Sequence, residues 1–395
     1  MKKQFIFLSL GLLFLVFSLG CGNGGESNSV IQGAGSPVNS STSVCMTGSP
    51  FIKECSIPAD ENGNFVSPYG LAKDETKNLL WFSADISSHE ESPDMLGVFD
   101  PINEIFPNCQ TAKDACRIIF PTASNQSQNQ QIPPDPKSVQ PRGLIFDPFT
   151  RKNWVSGFGT GVIEQVGFRN ASEFPIPTLD SGPLGITLDS KGKVWFTESL
   201  KDKIGRLDPA VANTGVGVGI DEFQICQGPS GIDVDSQDNV WFSCSTSNQI
   251  GKLDSSNDFF PTFYLIPTTT SYPAGVAIDS QDRIWFTEED GNKIGLFDPS
   301  KNIGKQFSEF ILPNGGSPRG ITVDPDTNVV WFTEYRGNRI GRLDPQASSP
   351  GTTDGFTEFQ IPTLNSGPTS ILIDQDKVVW FSETTAQKIG KLTTP

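Results

Sequence analysis

Four glutamates end the same short word. Glu198 and Glu334 close VWFTE, Glu288 closes IWFTE and Glu383 closes VWFSE. Carboxylates delivered at one point of a repeated element can gather round a hard cation such as Mg²⁺, and a buried one can take a proton from carbon. Three further groups, Tyr69, Arg142 and Arg319, each stand in the middle of a Pro-x-Gly tripeptide. Together with the glutamates they are candidates to bind a ligand. The single histidine, His89, lies in SSHEESPD beside Glu90 and Glu91. An imidazole titrates near neutral pH, but so polar a stretch reads first as a solvated loop.

The elements that must position these groups are repeats. Each of the seven tryptophans, Trp81, Trp154, Trp195, Trp241, Trp285, Trp331 and Trp380, occupies the same point of a unit of roughly 45 residues, the period of a propeller blade. Residues 182 to 227 divide into strand A (GITLD), strand B (KVWFTE), strand C (KIGRLDP) and strand D (DEFQI), joined by Gly, Asp and Ser turns. No repeat carries an apolar stripe at helical spacing, which excludes a helical solenoid. The fold expected is all-β, a seven-bladed β-propeller of four-stranded blades. The last repeat stops at Pro395 after strand C, while FIKECSIP (51 to 58) resembles a strand D. Pairing the two closes the ring and hides two edges.

An aspartate ends every strand A: Asp74, Asp147, Asp189, Asp235, Asp279, Asp324 and Asp374. A short carboxylate there is expected to bond the backbone of a tight turn rather than hold metal. The glycine of each IG pair is expected to let neighbouring blades approach, and the Trp-Phe pair to fill the space between sheets. The start of A and the end of B share one face, the upper one. If Asp189 faces Lys193, constant position sums place Leu184 opposite Glu198, Ala274 opposite Glu288, Thr369 opposite Glu383 and Ser230 opposite Cys244, with Arg319 near Glu334. A ring of Glu198, Glu288, Glu334 and Glu383, with Arg142, Arg319 and Tyr69, is thus expected to line the upper mouth of the central channel. The stretches 107 to 119 and 124 to 141 depart most from the repeat and read as long loops, the second on the upper face.

Formal charge is −16, which argues against nucleic acid or an anionic membrane surface as partner. Residues 1 to 20 have a basic start and an apolar run too short to span a bilayer, and so read as an export signal. Cys21 follows Ser-Leu-Gly and is expected to carry lipid, anchoring the chain in a bacterial cell envelope through a flexible Ser/Gly/Thr-rich tether, residues 21 to 50. Residues 51 to 395 would be the propeller, expected to be monomeric. Six further cysteines in an oxidising compartment favour disulfides, for which the expected pairs are Cys45 with Cys55, Cys109 with Cys116 and Cys226 with Cys244.

The segment SPRGITVD, followed by VVWFTEYRGNRIGRLDP, resembles the streptogramin (virginiamycin B) lyase family over residues 51 to 395. The resemblance implies a seven-bladed propeller in which Mg²⁺ at the upper mouth assists linearisation of a cyclic depsipeptide antibiotic by elimination. It implies a histidine base at the middle of a Pro-x-Gly-like turn, a second histidine one blade earlier, and acidic metal ligands that include the WFTE glutamate. Carried over, only the WFTE-type glutamate survives, at Glu198, Glu288, Glu334 and Glu383, with Glu288 and Glu334 the candidate Mg²⁺ ligands. The histidine places hold Tyr69, Arg142, Leu184, Ser230, Ala274, Arg319 and Thr369, and the acid two residues earlier is absent as well. The expectation is a propeller that binds a small ligand or protein partner at its upper face. A Mg²⁺-dependent lyase, a lactonase-like hydrolase using the glutamates, and a structural envelope protein are the alternatives.

Overall fold

Each repeat folds as its turns dictate. The computed structural model describes residues 45–47, 51–57, 66–86, 95–102, 117–119, 140–167, 171–215 and 217–393. Within them seven antiparallel sheets follow one another along the chain as seven blades, I to VII. Blade III is typical, with A (Pro183–Leu188), B (Val194–Glu198), C (Lys203–Leu207) and D (Ile220–Gln224) side by side in that order. Strand B is buried at all five positions, which suits a β-branched and aromatic run with a neighbouring blade on either face.

Alternation along strand B builds the core. Trp195 packs with Val240, Phe242 and Leu253 of blade IV, whereas Val194 and Phe196 pack with Trp154 and Phe174 of blade II. The described residues hold seven such clusters, one at each junction between blades. The strand-A aspartates fasten each core to its turn. Asp189 accepts the backbone N–H groups of Lys191 and Lys193 at 2.9 Å and the Trp195 indole N–H at 3.0 Å. Asp235, Asp279 and Asp374 take the indole N–H of Trp241, Trp285 and Trp380 in the same way, at 2.8, 2.9 and 2.8 Å.

The ring closes as the last repeat requires. Ile52–Ser56 pairs antiparallel with Lys388–Leu392, Ile52 opposite Leu392 and Ser56 opposite Lys388. Ile52 enters the core between blades VI and VII, and Cys55 and Ile57 enter the core between VII and I. Residues Cys45–Thr47, expected in the tether, instead add a fifth strand outside this one, with Cys45 opposite Cys55 in register. Cys55 is disulfide-bonded. Cys21, His89, Cys109 and Cys116 lie outside the described residues.

Close approach of the blades is the work of the Pro-x-Gly glycines, which corrects the role expected of the IG pair. A methyl group at Gly185 would fall on the Ser230 carbonyl oxygen of the next blade, and Gly70, Gly143, Gly231, Gly275 and Gly320 meet the next blade's carbonyl likewise. The IG glycine instead accepts an aromatic ring from its own sheet, as Gly205 does beneath Phe196. One hydroxyl then ties the inner ring together. Thr197 Oγ1 accepts the Gly185 N–H at 2.8 Å and donates to the Ser230 carbonyl at 3.1 Å. Ser382 closes the cycle, accepting from Ser370 N–H and donating to the Tyr69 carbonyl of blade I, both at 2.9 Å. Gly185→Ala is therefore expected to destabilise the ring by about 2–3 kcal/mol through overpacking against backbone that cannot yield. Urea unfolding checks this, and an unchanged midpoint would refute it.

Candidate functional site

The first turns of the seven A strands converge on a funnel of about 640 Å³. Its upper ring is the middle residue of every Pro-x-Gly-type turn: Tyr69, Arg142, Leu184, Ser230, Ala274, Arg319 and Thr369. Below lies an aliphatic throat that includes Leu144, Ile186, Ile232, Val276, Ile321 and Ile371. Arg142, Arg319 and Tyr69 are thus where the sequence placed them. Tyr272, Glu289, Asp290 and Arg336 also line the funnel and were not anticipated.

The register at the mouth differs by one residue from the constant-sum expectation. Pro183 rather than Leu184 stands opposite Glu198, and the ladder shifts between Pro183 and Ile186. Blades IV, V, VI and VII repeat the bulge, with Pro229, Pro273, Pro318 and Pro368 opposite Cys244, Glu288, Glu334 and Glu383. A bulge puts two residues of A against one of B, and its extra residue carries the side chain that turns into the funnel.

The larger correction concerns the four glutamates. Glu198, Glu288, Glu334 and Glu383 are fully buried and none lines the funnel. Strand B side chains stand perpendicular to a sheet that runs outward from the axis, so they enter the junctions between blades. Glu198 shares the face of Val194 and Phe196, which looks onto blade II. There it meets a repeated group: a cation at the start of strand C, a second glutamate in the middle of strand D, and a threonine or asparagine from the preceding connection. In blade III, Lys203 Nζ lies 3.4 Å from Glu222 and 2.6 Å from Thr178 Oγ1. In blade V, Lys293 lies 2.9 Å from Glu309, whose other oxygen accepts the Thr268 N–H at 2.9 Å. In blade VI, Arg339 bridges Glu334 and Glu358, and Asn314 donates to Glu358 at 2.6 Å. In blade VII, Lys388 lies 3.4 Å from Glu54 of the closing strand, which accepts the Thr363 N–H at 2.9 Å.

Burial and the second carboxylate raise the pKa of these glutamates. Burial, then Glu222, pushes Glu198 up to about 8. Burial, then Glu309, does the same to Glu288, and burial with Glu54 does so to Glu383. Glu334 rises by burial to about 7, held back by Arg339. Glu309 moves the other way, because Lys293 and Thr268 outweigh the cost of its burial. The junctions of blades III, V and VII therefore hold a proton on Glu198, Glu288 and Glu383 at neutral pH, while Glu334 shares its junction with the Arg339 cation.

Two arginine stations stand at the funnel. Arg319 donates from Nε and Nη2 to Glu289 Oε1 at 2.9 and 2.8 Å, with its guanidinium 3.6 Å from the Tyr335 ring centroid. Arg142 holds the equivalent place in blade II, 3.9 Å from the Tyr69 centroid, 5.8 Å from Phe158 and 3.7 Å from Asp85. Asp85, Phe158, Glu289 and Tyr335 all follow directly on the WFTE-glutamate position. Their opposite side-chain parity sends them to the mouth instead of the junction, a signal legible in the strand alternation.

The chain matches the virginiamycin B lyase family model over residues 123–350 and 305–395. It belongs to that family. The fold is also that of a solved streptogramin B lyase, 25% identical with a TM-score of 0.66, the match covering 87% of this chain and 97% of the other. Virginiamycin B lyase from Staphylococcus aureus gives 25% identity and a TM-score of 0.67 over 87% of this chain and 99% of that one. A catalytically inactive variant of that enzyme, solved with quinupristin, gives the same identity, score and coverage. No curated protein sequence matches the chain significantly.

The residues present do not fit the Mg²⁺ site that the virginiamycin B lyase family implies. Glu288 and Glu334 sit in separate junctions, each with its own lysine or arginine cation. Among the described residues no group of three or more His, Cys, Asp or Glu is arranged to hold a metal. The one WFTE position that holds cysteine is closed by the expected bond between Cys226 and Cys244, Cα atoms 6.0 Å apart. Cys226 reaches Cys244 because it lies past the end of strand D, where the chain turns inward toward Pro229.

Proposed function

We propose that this family member is an exported, lipid-anchored propeller that binds a small ligand in its upper funnel and does not carry out the family's elimination. The observation that carries the reading is the ring of seven turn residues, Tyr69, Arg142, Leu184, Ser230, Ala274, Arg319 and Thr369, which contains no histidine. The WFTE glutamates offer no replacement, since their carboxyls are sealed between blades. A base must lie within hydrogen-bond reach of the proton it removes, and loss of one costs roughly 10²- to 10⁴-fold in rate. Binding remains well served. The funnel has the volume and the mix of apolar wall and few polar groups typical of a small-molecule site. Cys21 and the residues after it supply the anchor and tether.

Quinupristin incubated with the mature protein and Mg²⁺ is expected to keep its chromatographic retention and its mass. Elimination would change retention at constant mass, and hydrolysis would add one water. Either product above background, lost in Glu288→Gln or in His89→Ala, would refute the reading and locate the base.

A further inference from the structure

We propose that Arg142 is the anchor for an oxyanion, carried on an apolar ligand body that fills the aliphatic throat. This rests on the funnel being a ligand site. The comparison that points to it lies within the chain, between the two equivalent arginine stations. Arg319 spends its guanidinium on Glu289, with two hydrogen bonds to one oxygen. At the other station the carboxylate is Asp85, one methylene shorter, and it stops 3.7 Å from Nη1. No guanidinium nitrogen of Arg142 makes a hydrogen bond within the described residues.

That guanidinium is held in place although its contact with Asp85 is a long ion pair and not a hydrogen bond. The Tyr69 ring lies 3.9 Å beneath it, Phe158 flanks it, and the side chain is only 20% exposed. Aromatic faces orient a cation without using its N–H groups, so the planar fork is fixed while its donors stay unspent. Leaving the N–H groups of a half-buried fork without hydrogen bonds is costly, and a carboxylate or phosphate accepting two of them relieves that cost. Beneath it, Leu144, Ile186 and Ile371 form apolar wall with no polar side chain to satisfy. Head and body of the ligand are thereby specified by different parts of one cavity: an oxyanion at the rim over an aliphatic or aromatic body in the throat.

Calorimetric titration of the mature protein with octanoate, octyl phosphate and octanamide tests this. At least one of the two anions is expected to bind about tenfold tighter than the amide, the difference one charge-assisted bond makes over a neutral one. The anion that shows the preference identifies the head group. Arg142→Gln should remove the preference, Arg142→Lys should retain part of it, and Arg319→Gln should leave it intact, all with unchanged melting temperature. Equal binding of amide and anions, or a preference that survives Arg142→Gln, would overturn the oxyanion inference and leave the ligand-binding reading standing. Failure of all three probes to bind would overturn both.

Discussion

Removing residues 45 to 57 is expected to abolish the folded monomer. The lost strand buries Ile52 and Cys55 in two different inter-blade cores, and it carries Glu54, the partner of Lys388 and of the Thr363 N–H. Its absence would expose strand C of blade VII, Lys388–Leu392, as an open edge beside two unsealed cores. Burial of a large apolar side chain contributes roughly 1.5–3 kcal/mol, so Ile52 and Ile57 together with a five-residue ladder approach the whole stability of an ordinary domain. Size-exclusion chromatography of the truncated protein should show aggregate. A synthetic peptide of residues 45 to 57 should restore the monomer by strand addition. A monomeric truncation with an unchanged melting temperature would mean the ring is closed by something else.

The second large effect is a loss of stability with rising pH. Glu198, Glu288, Glu334 and Glu383 have folded pKa values above the ordinary carboxylate value, so the folded ring holds their protons more tightly than the unfolded chain does. Their stabilising contribution is complete below about pH 4.5 and is lost as pH rises through about 7 to 8. Acids with lowered pKa oppose this at the acidic end. Asp238 and Asp282 are held down by hydrogen bonds from Ser190 and Ser236, which outweigh their burial. The maximum of stability should therefore fall at mildly acidic pH. Melting temperature is expected to drop by on the order of 10 °C from about pH 5.5 to pH 9. Glu198→Gln, Glu288→Gln and Glu383→Gln combined should flatten the fall, because the amide keeps the shape and cannot ionise. A profile level across this range in the wild type would contradict the protonated junctions.

Much of this architecture is written in the sequence because propeller repeats restate one local solution. The tryptophans, the strand-A aspartates and the truncated last repeat give blade count and closure directly, and Cys226 with Cys244 followed from two strand ends on one face. The candidate site was legible only in part. Tyr69, Arg142 and Arg319 were placed at the mouth because a turn residue points wherever its strand starts. The glutamates were misplaced because position sums report which residues stand opposite, and they do not report which face a side chain leaves. Parity along the strand does report it: Glu288 goes with Phe286 into the junction, and the next residue, Glu289, goes to the funnel. The bulge at Pro183 added a one-residue shift that no regular ladder contains. Glu54 and Glu383, some 330 residues apart and brought together by ring closure, could be paired only once the closing strand had a register.

The WFTE glutamates belong to the junctions between blades, where Glu198, Glu288 and Glu383 hold protons, and do not serve the funnel. Infrared difference spectroscopy of the carboxylic acid carbonyl stretch tests this most directly. A protonated-carboxyl band is predicted at about pH 6, disappearing with a midpoint near pH 8, diminished in Glu198→Gln, Glu288→Gln and Glu383→Gln, and unaffected by Mg²⁺. Absence of the band at about pH 6, or its loss on adding Mg²⁺, would show these carboxylates ionised and available to a cation, and would contradict the account.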